Sequence, residues 1–281
     1  MTNYDDYLME SYELREKLVS DKFRPKYHFL PPEGRWNDLN GAMYWNGRYH
    51  LGYLQKISNG PNQRDFSSWQ HISSRDLLHW TYHQAYLREP LEGQKGDYFN
   101  SGDAMEGVEV PTIITNMPRK GICIYQCHDE NLDHWEPLAE NPVIPIEDGW
   151  SRQTNTLGPE AKFPECVIFD PSGWKEGQTY YALIGNKNYR PGYEGDSTSL
   201  FKSKDLKAWQ YVGPFYQSDR KWTVEEEDCA CSDFFPFGQK HMLVMHTHQP
   251  YSKCQYYIGQ YRNERFYPEV NEQISHLGSM L

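Results

Sequence analysis

No run of about 18 apolar residues occurs anywhere in the 281-residue chain, so no membrane-spanning helix is expected. The opening residues, MTNYDDYLMESYELREKLVSDKF, lack the apolar stretch of a secretory signal, and the expected location is cytoplasmic. Positive charge is scarce as well: 28 Lys and Arg stand against 39 Asp and Glu, a net charge of -11. Phosphate backbones and anionic membranes require the opposite sign, so no nucleic acid and no membrane partner is expected. Cysteine is sparse. Cys123, Cys127, Cys166, Cys229, Cys231 and Cys254 are read as reduced thiols, because a long chain without a signal peptide has little use for disulfides. Cys229 and Cys231 are spaced C-x-C, with His241, His246 and His248 downstream, but four ligands at a zinc spacing are lacking. Neither a metal nor a cofactor is expected. Apolar residues reach only 38%, with a mean hydropathy of -0.86, low for a core-rich α/β enzyme.

Aromatic residues, by contrast, are plentiful at 15%, including 22 Tyr and 9 Trp. Flat rings pack well on pleated sheets and also cover sugar faces, so this richness fits an all-β scaffold and a carbohydrate ligand alike. One helical pattern spans residues 5–20, where Leu8, Tyr12, Leu14 and Leu18 recur near the helical period. From Arg24 onward the runs GAMYWNGRYHLGYL, GICIYQC, QTYYALIGN, HMLVMHTH and CQYYIGQY alternate as strands do, separated by Gly, Asn, Pro and Asp. Asn-Gly within WNGRY marks a tight hairpin. A weak repeat links SRDLLHW, ending at Trp80, DENLDHW, ending at Trp135, and SKDLKAW, ending at Trp209. Repeats of this size with several strands each point to a β-propeller, in which the strands nearest the axis converge on one pocket.

Carboxylates at the starts of the repeat units are then the natural place to look for chemistry. Asp38 lies in GRWNDLNG, Asp170 in CVIFDPSGW, and an acidic cluster in EEEDCACSDFFPFG, each just ahead of a strand. Glycoside hydrolysis needs carboxyl groups of this kind, one ionised and one protonated.

These segments resemble glycoside hydrolase family 32, the β-fructofuranosidases, which include invertases, inulinases and levanases. The family opens with HFxPPxGWMNDPNGxxY, and this chain has HFLPPEGRWNDLNGAMY. YHLFYQ is matched by YHLGYLQ, WGHxxSxDLxHW by WQHISSRDLLHW, and FSGSA by NSGDA. LDHWEPLAENPVIP matches the end of the family's second blade, and CSDFFPFGQKHMLV resembles ECPDFFPxxxKxVL. The resemblance implies a five-bladed propeller followed by a β-sandwich, a retaining mechanism, and a fructoside substrate such as sucrose, inulin or levan. It implies that Asp38 is the nucleophile and that Asp170 is the transition-state stabiliser of the family's RDP motif. It assigns the acid/base to Glu227 if the segment carries an insertion, with Asp228 and Glu165 as alternatives. Asn37, Gln55, Trp69 and Ser101 match positions that line the fructose pocket; from the residues alone Trp69 reads equally as a packing ring, and Asn37 and Ser101 as turn residues.

Three departures stand at these motifs: Leu39 replaces a Pro, Phe169 the Arg before Asp170, and Ala230 the Glu in the unshifted register. They keep two other readings open, an inverting arabinanase- or xylosidase-like propeller and a sugar-binding relative without turnover. The domain reading is a helical extension over 1–24 and a propeller over 25–281. Four repeat starts fall near Asp38, Asn100, Asp170 and Asp228, so about four of five blades are expected, with the fifth blade and the sandwich missing.

Overall fold

The computed structural model describes residues 13–14, 16–18, 20–25, 29–31, 35–57, 66–87, 99–117, 120–145, 169–185, 197–217, 220–224, 227–248 and 252–274. Among the described residues, seventeen strands fall into four antiparallel sheets, each formed by consecutive strands. The first holds β1 (Arg35–Trp45), β2 (Arg48–Ile57), β3 (Phe66–Ser74) and β4 (Trp80–Tyr82). The second holds β5 (Gly102–Ala104), β6 (Thr112–Met117), β7 (Gly121–Cys127) and β8 (Trp135–Pro137), with β9 (Ile144–Pro145) added to β7. The third holds β10 (Pro171–Glu176), β11 (Thr179–Gly185), β12 (Ser197–Ser203) and β13 (Trp209–Gln217). The fourth holds β14 (Ala230–Phe237), β15 (Lys240–Thr247), β16 (Lys253–Arg262) and β17 (Arg265–Ile274).

The first strands β1, β5, β10 and β14 lie against one another in that order, so the sheets stand as four propeller blades. The four repeat starts read from the sequence are the entries to these blades. Among the described residues, helix is confined to Glu13, Leu14 and 16–18; residues 5–12 and 275–281 lie outside the described residues. No helix among the described residues is long and apolar enough to cross a membrane.

Each core lies between two blades. Leu54, Trp69, Phe99 and Ile113 pack blade 1 on blade 2. Ile114, Ile122, Ile184 and Phe201 pack blade 2 on blade 3. Leu183, Leu200, Phe215, Leu243 and Tyr257 pack blade 3 on blade 4. Adjacent residues on one strand therefore serve different cores: Ile113 and Ile114 on β6, Leu183 and Ile184 on β11, Leu200 and Phe201 on β12. Strand side chains alternate between faces, and a sheet covered on both faces buries both sets. This is why β6, TIITNM, is buried along its whole length.

The repeated DLxxW element is one turn used three times. Leu77, Leu132 and Leu206, each three residues before its Trp, all adopt a left-handed backbone at φ 63°, 60° and 66°, a conformation rare for leucine. Side-chain acceptors hold it. Asp76 Oδ1 accepts the amides of Leu78 and His79, and Asp205 Oδ1 those of Lys207 and Ala208. In the middle copy Asp129, standing where the others have Ser, accepts the amides of Asn131, Asp133 and His134. The Trp135 and Trp209 indoles then donate back to the carbonyls of Leu132 and Leu206. The expected Asn46-Gly47 hairpin is present, with φ of 46° and 76°, as a two-residue turn of the favoured hand requires.

Phe215 is fully buried, and its ring meets Trp174, Phe234, Tyr261 and Phe266 across the blade 3–blade 4 seam. Phe215→Ala is expected to cost about 3–5 kcal/mol in urea unfolding. Val224→Ala, at an exposed position, is expected to stay within about 0.5 kcal/mol. Equal midpoints for the two variants would contradict this inter-blade core.

Candidate active site

The segment RWNDLNG forms the entry of β1, and its pairing with β2 slips between Trp36 and Leu39 and again between Asn40 and Met43. These irregularities bend the strand, as bulges do, and leave Asp38 exposed. Asn40 holds the bend. Its Nδ2 donates to the Asp38 carbonyl at 3.0 Å, and its Oδ1 accepts the Gly102 amide at 3.2 Å, tying β1 to β5. Gly102 sits so close to β6 that a Cβ there would collide with the Ile114 carbonyl.

Four chain segments meet beyond this point. Just ahead of β5, the buried Ser101 donates its hydroxyl hydrogen to Asp38 Oδ2. Asp170, buried just ahead of β10, accepts from the Cys231 thiol at 3.5 Å. Cys231 stands on β14 in a left-handed backbone, φ 45°, where the β14–β15 pairing is irregular. Its side chain is open to solvent at the mouth but ringed by Asp170, Asp38 and Ser101. Burial, and then the Asp170 and Asp38 charges, push its thiol well above the ordinary value, so it remains a thiol.

The remaining sequence candidates have these places. Trp69 is fully buried in the blade 1–blade 2 core, and its indole donates to the Asn100 carbonyl at 3.0 Å, supporting the start of β5. Gln55 is buried on β2 opposite Trp36, and Asn37 is half-buried beside Asp38. Glu227 is buried, accepting from Lys253 Nζ at 2.6 Å and from Gln255 Nε2 at 3.4 Å. Asp228 is buried against His248, accepting the amide at 2.6 Å and facing ring Nδ1 at 2.9 Å. Phe169, in the place of the family Arg, lies edge-on to the same His248 ring. Ala230 is fully buried. Glu165 and Cys166 lie outside the described residues. The downstream histidines are dispersed: His248 faces Asp228, His246 faces Ser252, and His241 stacks on Phe234.

A second carboxyl tier was missed in the sequence. Asp103 follows Ser101 by two residues and lies on β5, and Asp233 follows Cys231 by two on β14. The two carboxyls are hydrogen-bonded to each other. Burial pushes Asp103 well above the usual carboxylate range, and the Asp233 charge adds to this. Asp233, open to solvent on one side but hemmed in by the inner strands, is pushed up to about 6, mainly by desolvation. The signal was present in NSGDA, where Asp103 stands at the second Ser of the family's FSGSA.

Residues 28–279 match the N-terminal domain of glycosyl hydrolases family 32. The chain belongs to this family. A sucrose-6-phosphate hydrolase of Vibrio alginolyticus is 29% identical over 82% of this chain and 44% of its own length. A fructan 6-exohydrolase of Triticum aestivum is 28% identical over 88% of this chain and 44% of its own. Among solved structures, a Bombyx mori β-fructofuranosidase superposes with TM-score 0.66 at 22% identity, covering 95% of this chain and 57% of that one. The sucrose-6-phosphate hydrolase of Lactobacillus gasseri gives 0.65 at 23%, covering 93% and 52%. The chain thus has the family fold and spans about half the length of the curated relatives it matches.

The Asp103–Asp233 pair makes a prediction about family-32 chemistry and stability together. In the unfolded chain both carboxyls titrate near about 3.9. Their folded values are raised, so the folded state binds more protons above that pH. Stability contributed by the protonated pair is complete below about pH 4 and is lost as pH rises through about 6. The stability difference between wild type and Asp103→Asn, measured by urea unfolding, is therefore expected to shrink from pH 4 to pH 7. A constant difference would show that the pair is not protonated in the fold.

Proposed function

We propose that this propeller hydrolyses terminal β-D-fructofuranosyl linkages with retention of configuration. The observation that carries the reading is the convergence of Asp38 and Asp170, from separate blades, on one spot with Ser101 and Cys231 beside them. The names of the relatives support the substrate class, since both sucrose-6-phosphate hydrolases and a fructan exohydrolase act on fructosides.

In this mechanism the Asp38 carboxylate attacks the anomeric carbon of the fructosyl unit and forms a covalent intermediate, which water then cleaves. Ser101 orients that carboxylate through its hydroxyl. Asp170 accepts hydrogen bonds from fructosyl hydroxyls, where they strengthen as positive charge develops on the ring. The leaving oxygen needs a proton, and Asp103, kept protonated beside Asp233, is the donor this arrangement favours. Glu227 is engaged by the Lys253 ammonium and Asp228 by His248. They stand as the alternatives, together with Glu165.

A second reading, a fructoside-binding propeller without turnover, is favoured by a specific feature. In the unshifted register of the motif, the family's Glu is replaced by the buried Ala230, with the Cys231 thiol next to it on β14. Product analysis on sucrose, sucrose 6-phosphate, inulin and levan separates the two readings. Fructose release supports hydrolysis; saturable binding without release supports the second.

Asp38→Asn is expected to keep its circular dichroism and lose hydrolysis by orders of magnitude, because the asparagine amide cannot form the intermediate. Near-normal turnover would remove Asp38 from this role. Asp103→Asn is expected to slow sucrose cleavage far more than cleavage of an aryl fructoside, whose leaving group needs little protonation. The same selective loss in Glu227→Gln instead would return the proton to Glu227.

A further inference from the structure

Away from the axis, the seam between blades 1 and 2 holds polar side chains that the proposed reaction does not use. His50 on β2, His71 on β3 and His83 just after β4 stack together, with ring centroids 5.1 Å apart for His50–His71 and 4.2 Å for His71–His83. Tyr86 stacks on the other side of His71 at 4.0 Å. Asp133 reaches them from blade 2, in the turn that leads into β8. All are buried or half-buried. Four polar atoms here have no hydrogen-bond partner: His50 Nε2, His71 Nδ1, Tyr86 OH and Asp133 Oδ1. A single buried orphan costs about 1–3 kcal/mol. Several gathered in one place call for an ion or a water between them.

The donor atoms are arranged for an ion. One ligand atom from each of His71, His83 and Asp133 lies within 4.8 Å of the others, the single such group among the described residues. His83 Nδ1 and Asp133 Oδ1 are already 3.6 Å apart. A tetrahedral ion with ligands at about 2.0–2.2 Å places them about 3.3–3.6 Å from one another. Each imidazole also has its far nitrogen engaged, as metal-bound histidines do. His71 Nε2 faces His50 Nδ1 at 2.9 Å, and His83 Nε2 faces Ser73 Oγ at 2.6 Å. Among the described residues, the cation beside this cluster is directed elsewhere: Arg48 donates to Ser73 Oγ, the Ser73 carbonyl and Thr81 Oγ1.

We propose that His71, His83 and Asp133 bind a divalent transition metal of the zinc class, which clamps blade 1 to blade 2. Two imidazoles and one carboxylate suit Zn²⁺, with water or the second Asp133 oxygen completing the shell. The clamp is structural. It lies on the seam whose inner end carries Asp38 on β1 and Ser101 just ahead of β5, so it holds those two strands in register without touching substrate.

The test uses the full chain without added affinity histidines, stripped with a chelator and titrated with Zn²⁺ and Co²⁺. It requires no enzymatic activity and is therefore independent of the proposed reaction. Expected results are one equivalent of metal bound, a rise in melting temperature on Zn²⁺ addition, and a Co²⁺ spectrum with ligand-field bands but no thiolate charge-transfer band. Asp133→Asn and His83→Gln are expected to weaken binding at least about tenfold, and His128→Gln, at an exposed position, to leave it unchanged. Circular dichroism of the stripped variants checks that they fold. No stoichiometric binding by wild type would overturn the proposal and leave water as the occupant. A thiolate band, which would place the metal on a cysteine, would also overturn it, as would full binding by both variants.

Discussion

Every blade in this structure carries apolar side chains on both faces, and neither face can be covered by its own sheet. Packing against the next blade is the constraint on which the rest depends. Burial of apolar surface is worth about 25 cal/mol per Å², and here it is collected in three inter-blade layers rather than one central core. The axis is thereby left to polar groups. Inner strands approach one another through their backbones, as where the Glu106 amide donates to the Gly173 carbonyl and the Lys175 amide to the Glu106 carbonyl. Carboxyls carried on these strands are drawn together by the packing of residues far from them.

That drawing together sets the electrostatics of the site. Asp38 and Asp170 crowd the Cys231 thiol and keep it protonated, while Asp103 and Asp233 share the cost of desolvation by remaining partly protonated. The departures from the family pattern fit this picture physically. Ala230 is buried, Cys231 faces the two aspartates, and Asp103 supplies a carboxyl at the second Ser of the family's FSGSA.

Much of the fold was legible in the sequence because the turns are local. Asn46-Gly47 specifies a hairpin through its own backbone preferences, and the DLxxW element builds its turn from an Asp or Ser a few residues from the amides it binds. Blade entries near Asp38, Asn100, Asp170 and Asp228 followed from these signals. Trp69 shows the limit. Its motif position suggested a pocket or a packing role equally, and only its full burial beneath Gly41 and its bond to Asn100 place it in the scaffold.

The sequence by itself determined the family, the all-β class, the order of the blades and the two axial aspartates, because each rests on contiguous residues whose chemistry is readable in place. The tertiary structure alone decided what lies across from what: Asp103 with Asp233, Glu227 with Lys253, and His71 and His83 with Asp133. Those pairings join residues from different blades or from distant strands of one blade. Their proximity is set by how twisted sheets pack face to face, a long-range outcome that no local spacing along the chain encodes.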